Sequence, residues 1–168
     1  KIVIVGDAGR YKIELMYYLL NDKYLSEYVC LISNSFRFED YHGKRFNIEY
    51  FDTSGEEDME AIRSSIYDMS DIIVFAFLLT NKISFQNIFT RWIPDIKKNT
   101  GKHHIYFLVG VGFEIWMRDS YNPNYVNQED IDNASKDKRI YKIIKCSYLT
   151  DVNMDLLTPK RFIDAYID

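Results

Sequence analysis

The sequence predicts an α/β domain in which a mostly parallel sheet of about six strands carries helices on both faces. Three observations predict it. Ile2-Val3-Ile4-Val5 and Asp71-Ile72-Ile73-Val74-Phe75-Ala76-Phe77 are continuous apolar runs, as expected of strands buried on both faces. Helical spacing follows each of them, in Leu15, Leu19 and Leu20, and again in Phe85, Ile88, Phe89, Trp92 and Ile96. The opening segment also reads strand, glycine turn, helix. At 168 residues the chain makes one domain, 1–168, long enough for a proper core.

Taken in order, a strand over 2–5 turns on Gly6-Asp7-Ala8-Gly9, and a helical pattern begins at Lys12. Residues 21–35 are polar and irregular. Strands over 36–41 and 45–51 are joined at Tyr41-His42-Gly43-Lys44, where glycine supplies the unusual backbone angle of a hairpin turn. Residues 56–67 read as a short helix, acidic first and apolar later. A central strand covers 71–77, a helix 84–98 and a buried strand 105–109. A weaker helix spans 127–138 and the last strand 140–145. The last helix covers 153–166, with Thr158-Pro159 an alternative start because it is a good cap and first-turn pair.

Composition narrows the function. Apolar residues at 47% and charged residues at 27% suit a soluble globular protein. A net charge of −4 without a Lys/Arg run argues against nucleic acid as a partner. No apolar stretch approaches the length of a membrane span. Cys30 and Cys146 lie far apart without metal-ligand spacing, and reduced thiols in a cytoplasmic protein are the expectation. His103-His104 reads as polar surface, and Trp92 and Trp116 as packing residues.

The chemistry lies in the first turn. Strand, glycine turn and helix is the architecture in which backbone N–H groups at a helix N-terminus cradle a phosphate, with the signature G-x-x-x-x-G-K-[ST]. Gly6 and Lys12 stand in place, but Tyr11 replaces the second glycine and Ile13 the hydroxyl residue. Further on come Glu27-Tyr28-Val29, then Phe51-Asp52-Thr53-Ser54-Gly55-Glu56-Glu57-Asp58, Ser84-Phe85-x-Asn87-Ile88, Arg91-Trp92-Ile93-Pro94 and Cys146-Ser147. In these residues the chain resembles the small GTPases of the Ras superfamily, and within them the Rho family, over essentially its whole length. The resemblance implies a single Ras-like G domain. Residues 115–126 are too short for the helical insert typical of the Rho family.

The resemblance also implies a nucleotide site, in vestigial form. Gly6, Asp7, Gly9 and Lys12 match the phosphate loop, Asp52 the metal-side aspartate and Gly55 the glycine that meets the γ-phosphate. Ser147 remains from the base loop, and Tyr24 falls where an aromatic ring packs on guanine. Against these, Ile13 and Leu31 replace both hydroxyl ligands of Mg²⁺, so no metal is expected. Tyr11 crowds a position where backbone must approach phosphate, and Glu14 adds a carboxylate beside it. Val111-Gly112-Phe113-Glu114 replaces the base-reading N-K-x-D motif. Glu56 replaces the water-positioning Gln, leaving no catalytic residue. Lys12 paired with Asp52 or with Glu14 would fill the vacated pocket, and Arg10 and Glu14 flank the loop and could pair across it.

The expectation is therefore a Rho-like pseudo-GTPase, a monomeric protein-interaction and signalling module without useful GTP binding. Its effectors or regulators would meet the switch surfaces, through Tyr28, Val29, Leu31, Phe36, Phe38, Glu57, Asp58, Ile66 and Tyr67, and the helix around Trp92. The alternatives are a GTP-binding switch with impaired hydrolysis, using GDP or GTP with Mg²⁺, and a structural subunit of a larger assembly. Membrane association would need a lipidated tail, which 165–168 does not carry.

Overall fold

The computed structural model describes residues 1–24, 34–53, 60–119 and 121–168. Six strands form one sheet: β1 (Ile2–Val5), β2 (Asn34–Tyr41), β3 (Lys44–Asp52), β4 (Ile72–Leu78), β5 (Ile105–Val111) and β6 (Ile140–Cys146). Their spatial order is β2-β3-β1-β4-β5-β6. β2 alone is antiparallel, joined to β3 through His42 and Gly43 with φ of 50° and 71°. Two positive-φ residues between paired strands suit the right-handed twist of a hairpin. The helices are α1 (Arg10–Asn21), α2 (Glu60–Met69), α3 (Lys82–Asn87), α4 (Ile93–Asn99), α5 (Phe113–Trp116), α6 (Gln128–Ala134) and α7 (Pro159–Ile167).

Side chains alternate across the sheet and divide the core into two layers. Ile2, Ile4, Val74, Phe107 and Val109 pack against Leu15, Met16 and Leu19 of α1 and Phe162 and Ile163 of α7. Val3, Val5, Ile73, Phe75, Phe77 and Leu108 face Tyr67, Phe85, Ile88, Trp92, Ile96 and Ile131 on the other side. The sheet, the helices on both faces and the strand count match the fold class read from the sequence.

Element boundaries differ in instructive places. The single helix expected over 84–98 is two, α3 and α4, joined by a π turn at Ile88–Trp92. Pro94 explains it: proline has no N–H to donate, and its ring clashes with the carbonyl one turn back. The chain widens there instead, and the Ile93 N–H bonds the Ile88 carbonyl five residues back. The last helix starts at Pro159, after a 3₁₀ turn at Met154–Leu157, so the later of the two starts is the real one. β5 runs on through Val111, two residues beyond its expected end. α1 begins at Arg10, two residues earlier than expected, which brings Tyr11 into its first turn.

Candidate functional site

The loops that follow β1, β5 and β6 gather outside the carboxyl ends of their strands, where open α/β sheets place their ligands. The loop after β1 passes very close to β4. A side-chain carbon on Gly6 would lie 2.4 Å from the Ala76 carbonyl oxygen, so only glycine fits.

Tyr11 fills what this loop encloses. Its ring lies against Gly9, where an added Cβ would come within 2.9 Å of two ring carbons. Its hydroxyl donates to the Asp7 carbonyl at 3.0 Å and lies 3.2 Å from the Cβ position of Gly6. The residue is 6% exposed, and burial pushes the phenol pKa up. The phenol therefore spans the loop from Gly9 to Asp7.

Lys12 lies under this ring. Its ammonium donates to the same Asp7 carbonyl at 2.9 Å and sits 5.6 Å from the Tyr11 ring centre. It is 3% exposed, and desolvation lowers its pKa against the opposing pull of Asp52 and Asp7. Among the described residues, neither Asp52 nor Glu14 comes within ion-pair distance of it, so both pairings considered for Lys12 are absent. Asp52 is left with a buried Oδ1 that has no hydrogen-bond partner. Burial pushes its carboxyl up to about 6, with Lys12 pulling the other way.

Asp7 is anchored from across the domain. Asn87 Nδ2 donates to its Oδ2 at 2.8 Å and Trp92 Nε1 to its Oδ1 at 2.9 Å. The end of α3 and the π turn thus hold the loop through both carboxylate oxygens. Bonds to an ionised acceptor are the stronger kind, worth about 1.5–3 kcal/mol each.

The other end of the crevice is filled as well. Tyr148, in the loop after β6, stacks on Tyr24 with ring centres 5.7 Å apart and planes 8° from parallel. Its hydroxyl donates to Glu14 Oε2 on α1 at 2.5 Å. Tyr24 thus has a protein ring for a partner. Glu14 also pairs with Arg10 at 3.5 Å, one turn back along the same helix and not across the loop. Ser147 is buried; its backbone N–H bonds the Val152 carbonyl and its Oγ accepts from the Thr150 N–H. After β5, Gly112 takes φ of 84° to start α5, and Val111 is buried in the strand between Leu78 and Cys146. Glu114 Oε2 is buried without a partner, and burial, aided by Glu114, pushes the Cys146 thiol up to about 12.

The proposed partner surface divides. Phe36 and Phe38 stand 57% and 59% exposed on the edge strand β2, and Arg45 lies 4.7 Å over the Phe38 ring. Tyr67 is fully buried and Ile66 packs partly into the core, so Tyr67 is no surface residue. The Tyr67 hydroxyl instead donates to Asp95 Oδ2 at 2.9 Å, and the same oxygen takes Arg63 Nε at 3.1 Å. Trp92 is fully buried too, so the helix around it offers no indole to a partner. Tyr28, Val29, Leu31, Gly55, Glu56, Glu57 and Asp58 lie outside the described residues, as does Cys30.

A model of the Ras family matches residues 1–159. The chain belongs to the Ras family. It is a small GTPase-like G domain of a signalling kind, and Ras-family proteins normally bind GDP or GTP with Mg²⁺ and act through effectors and regulators. On that fold Tyr11 stands in the first turn of α1, beside the loop after β1, and Tyr148 in the loop after β6. The family resemblance has Tyr11 crowding the loop, and Tyr148 and Leu149 in place of the alanine and lysine that follow Ser147, without implying a contact for Tyr148. The signal was present, since a tyrosine stands there where the family has alanine, the same small-to-large change as at Tyr11. The convergence of Asp7, Asn87 and Trp92 was equally unread, because three separate motif residues carry no sign that they meet.

Proposed function

We propose that this Ras-family domain is a Rho-like pseudo-GTPase, a G-domain fold kept as a protein-interaction module without useful nucleotide binding. The observation that carries the reading is the Tyr11 ring inside its own phosphate loop. A phosphate entering there must expel a nearly buried aromatic side chain. Emptying such a site costs about 3–5 kcal/mol, or roughly two to three and a half orders of magnitude in affinity. Tyr148 on Tyr24 adds a second displacement at the base end.

The side chains present do not fit a magnesium-bound nucleotide. Ile13 offers no oxygen where the family places a hydroxyl, and Mg²⁺ takes only oxygen ligands in near-octahedral geometry. The Rho-like assignment is supported by Asp7, Asn87 and Trp92, which belong to the motifs of that resemblance and form one hydrogen-bonded unit. Effectors or regulators would meet the exposed Phe36 and Phe38 on β2.

A second reading, a GTP-binding switch with impaired hydrolysis, is favoured by three groups left as a ligand would need them. These are the buried Lys12 ammonium, the unpartnered Asp52 Oδ1 and the unpartnered Glu114 Oε2. Extraction of the purified protein and chromatography of what is released separates the two. The pseudo-GTPase reading expects no guanine nucleotide, and a stoichiometric yield of GDP selects the second.

A further inference from the structure

A basic cleft of ≈ 470 Å³ lies at the amino-terminal ends of β5 and β6, at the opposite end of the parallel strands from the loop after β1. It is lined by the end of α4 with its following loop (Lys97, Gly101, Lys102, His104) and by Lys138 and Arg139 before β6. No lining residue is acidic, in a chain whose net charge is −4. Two of its cations are met by carboxylates outside the wall. Lys102 Nζ lies 3.0 Å from Asp71, and Arg139 is bonded by Asp137. Among the described residues Lys97 and Lys138 have no carboxylate within ion-pair distance. His104 also lines the wall, held in place by its Nε2 2.9 Å from the Tyr67 carbonyl. Lys97 alone would complement the helix dipole at the end of α4. That account does not reach Lys138, which comes from another element and faces the same space. The volume is within the range of small-molecule sites.

We propose that this cleft binds a multiply charged phosphate group, either on a soluble molecule or on a lipid headgroup. Lys97 and Lys138 supply charge that, among the described residues, no close ion pair neutralises, with Asp137 acting on Lys97 only at longer range. The site is independent of whether the domain binds guanine nucleotide.

The test uses inorganic tripolyphosphate, titrated by calorimetry and followed by amide chemical shifts. The expected result is saturable binding, with shifts at Gly101–His104 and at Lys138 and Arg139. Gly101→Glu is the key variant, because a side chain there meets nothing within 4 Å and the backbone needs no unusual φ. It and Lys97→Gln/Lys138→Gln should each weaken binding by about tenfold or more while circular dichroism stays unchanged. Vesicles of phosphatidylcholine with and without phosphatidylinositol bisphosphate separate the sources. Retention lost in both variants assigns the headgroup, and tripolyphosphate binding without vesicle retention assigns a soluble ligand. No binding to either probe, shifts confined to residues 6–12, or affinity indifferent to all these variants would overturn the proposal.

Discussion

The ring of Tyr11 rests against Gly9, so closely that a methyl group on Gly9 would meet it at 2.9 Å. Glycine at position 9 here makes room for a phenol, whereas glycines in such loops ordinarily make room for phosphate. The plug therefore has a measurable worth to the fold. Tyr11→Gly removes a nearly buried aromatic and adds a glycine to the first turn of α1. It should cost about 3–5 kcal/mol, with the glycine itself adding up to ~1 kcal/mol, by urea denaturation. A cost under ~1 kcal/mol would mean the ring does not fill the loop.

Reversing the losses must take both plugs into account. Tyr11→Gly, Ile13→Thr, Val111→Asn, Gly112→Lys and Glu114→Asp rebuild the phosphate loop and base reader, but Tyr148 would still occupy the face of Tyr24. Adding Tyr148→Ala should raise affinity for a fluorescent GDP analogue by at least ~10-fold over the five-site variant, since stacking on a base is worth about 1–3 kcal/mol. Gly112→Lys also forces a side chain into φ of 84° and will cost some stability. Equal affinity with and without Tyr148→Ala would remove that residue from the account.

Trp92→Phe keeps most of the packing and deletes one bond to Asp7. It should lower stability by about 1.5–3 kcal/mol, the range for a hydrogen bond to a charged group. Amide exchange should quicken in the Asp7–Gly9 loop, since Asn87 would then hold only one carboxylate oxygen. Destabilisation without any change in that loop would mean the indole acts by packing alone.

The clamp on α2 predicts a non-additive pair. The buried Arg63 meets the part-buried Asp95 at 3.1 Å, and Tyr67 shares the same carboxylate. Arg63→Met alone leaves a part-buried carboxylate with only Tyr67 and Asn99 as compensation and should cost about 2–3 kcal/mol. Arg63→Met with Asp95→Leu should cost clearly less than the sum of the single changes, as a double-mutant cycle would read. Simple additivity would contradict the coupling.

Asp52 sets a pH signature. Its carboxyl is raised in the folded protein from the ordinary 3.8 to about 6. The folded state therefore holds this proton more tightly than the unfolded state. Its contribution to stability is complete below about pH 4 and is lost as pH rises through about 6. Asp52→Asn removes that slope, so the variant should gain on the parent between pH 4 and 6, by up to about 3 kcal/mol. Thermal unfolding across that window checks it; parallel curves would show that Asp52 ionises normally.

Fold and site were unequally legible. The buried runs at Ile2–Val5 and Ile72–Leu78 announce themselves because a parallel strand covered on both faces needs nothing else from its neighbours. Pro94 was visible, but its consequence was not. Whether a proline breaks, kinks or widens a helix depends on what the residues before it are held by, here the Trp92 bond to Asp7. The missing hydroxyl at Ile13 was readable as chemistry, since a ligand atom is either present or absent. What replaces a missing ligand is a matter of packing. Tyr11 turning inward, Tyr148 reaching Glu14 and Tyr67 turning to Asp95 depend on distances that no local pattern encodes. Tyr67 is the case in point: the resemblance implies a switch surface over residues 56–67, while the part-buried Asp95 carboxylate on α4 draws its hydroxyl inward.

The central claim is that the loop after β1 is already occupied by its own side chain. It is tested most directly by calorimetric titration of GDP into the unmodified protein, with Mg²⁺ and then with EDTA. The account predicts no binding of submicromolar affinity under either condition. A nanomolar isotherm that EDTA weakens would contradict it, because Tyr11 would then have to leave the loop at little cost and a metal would have to be held without the hydroxyl that Ile13 lacks.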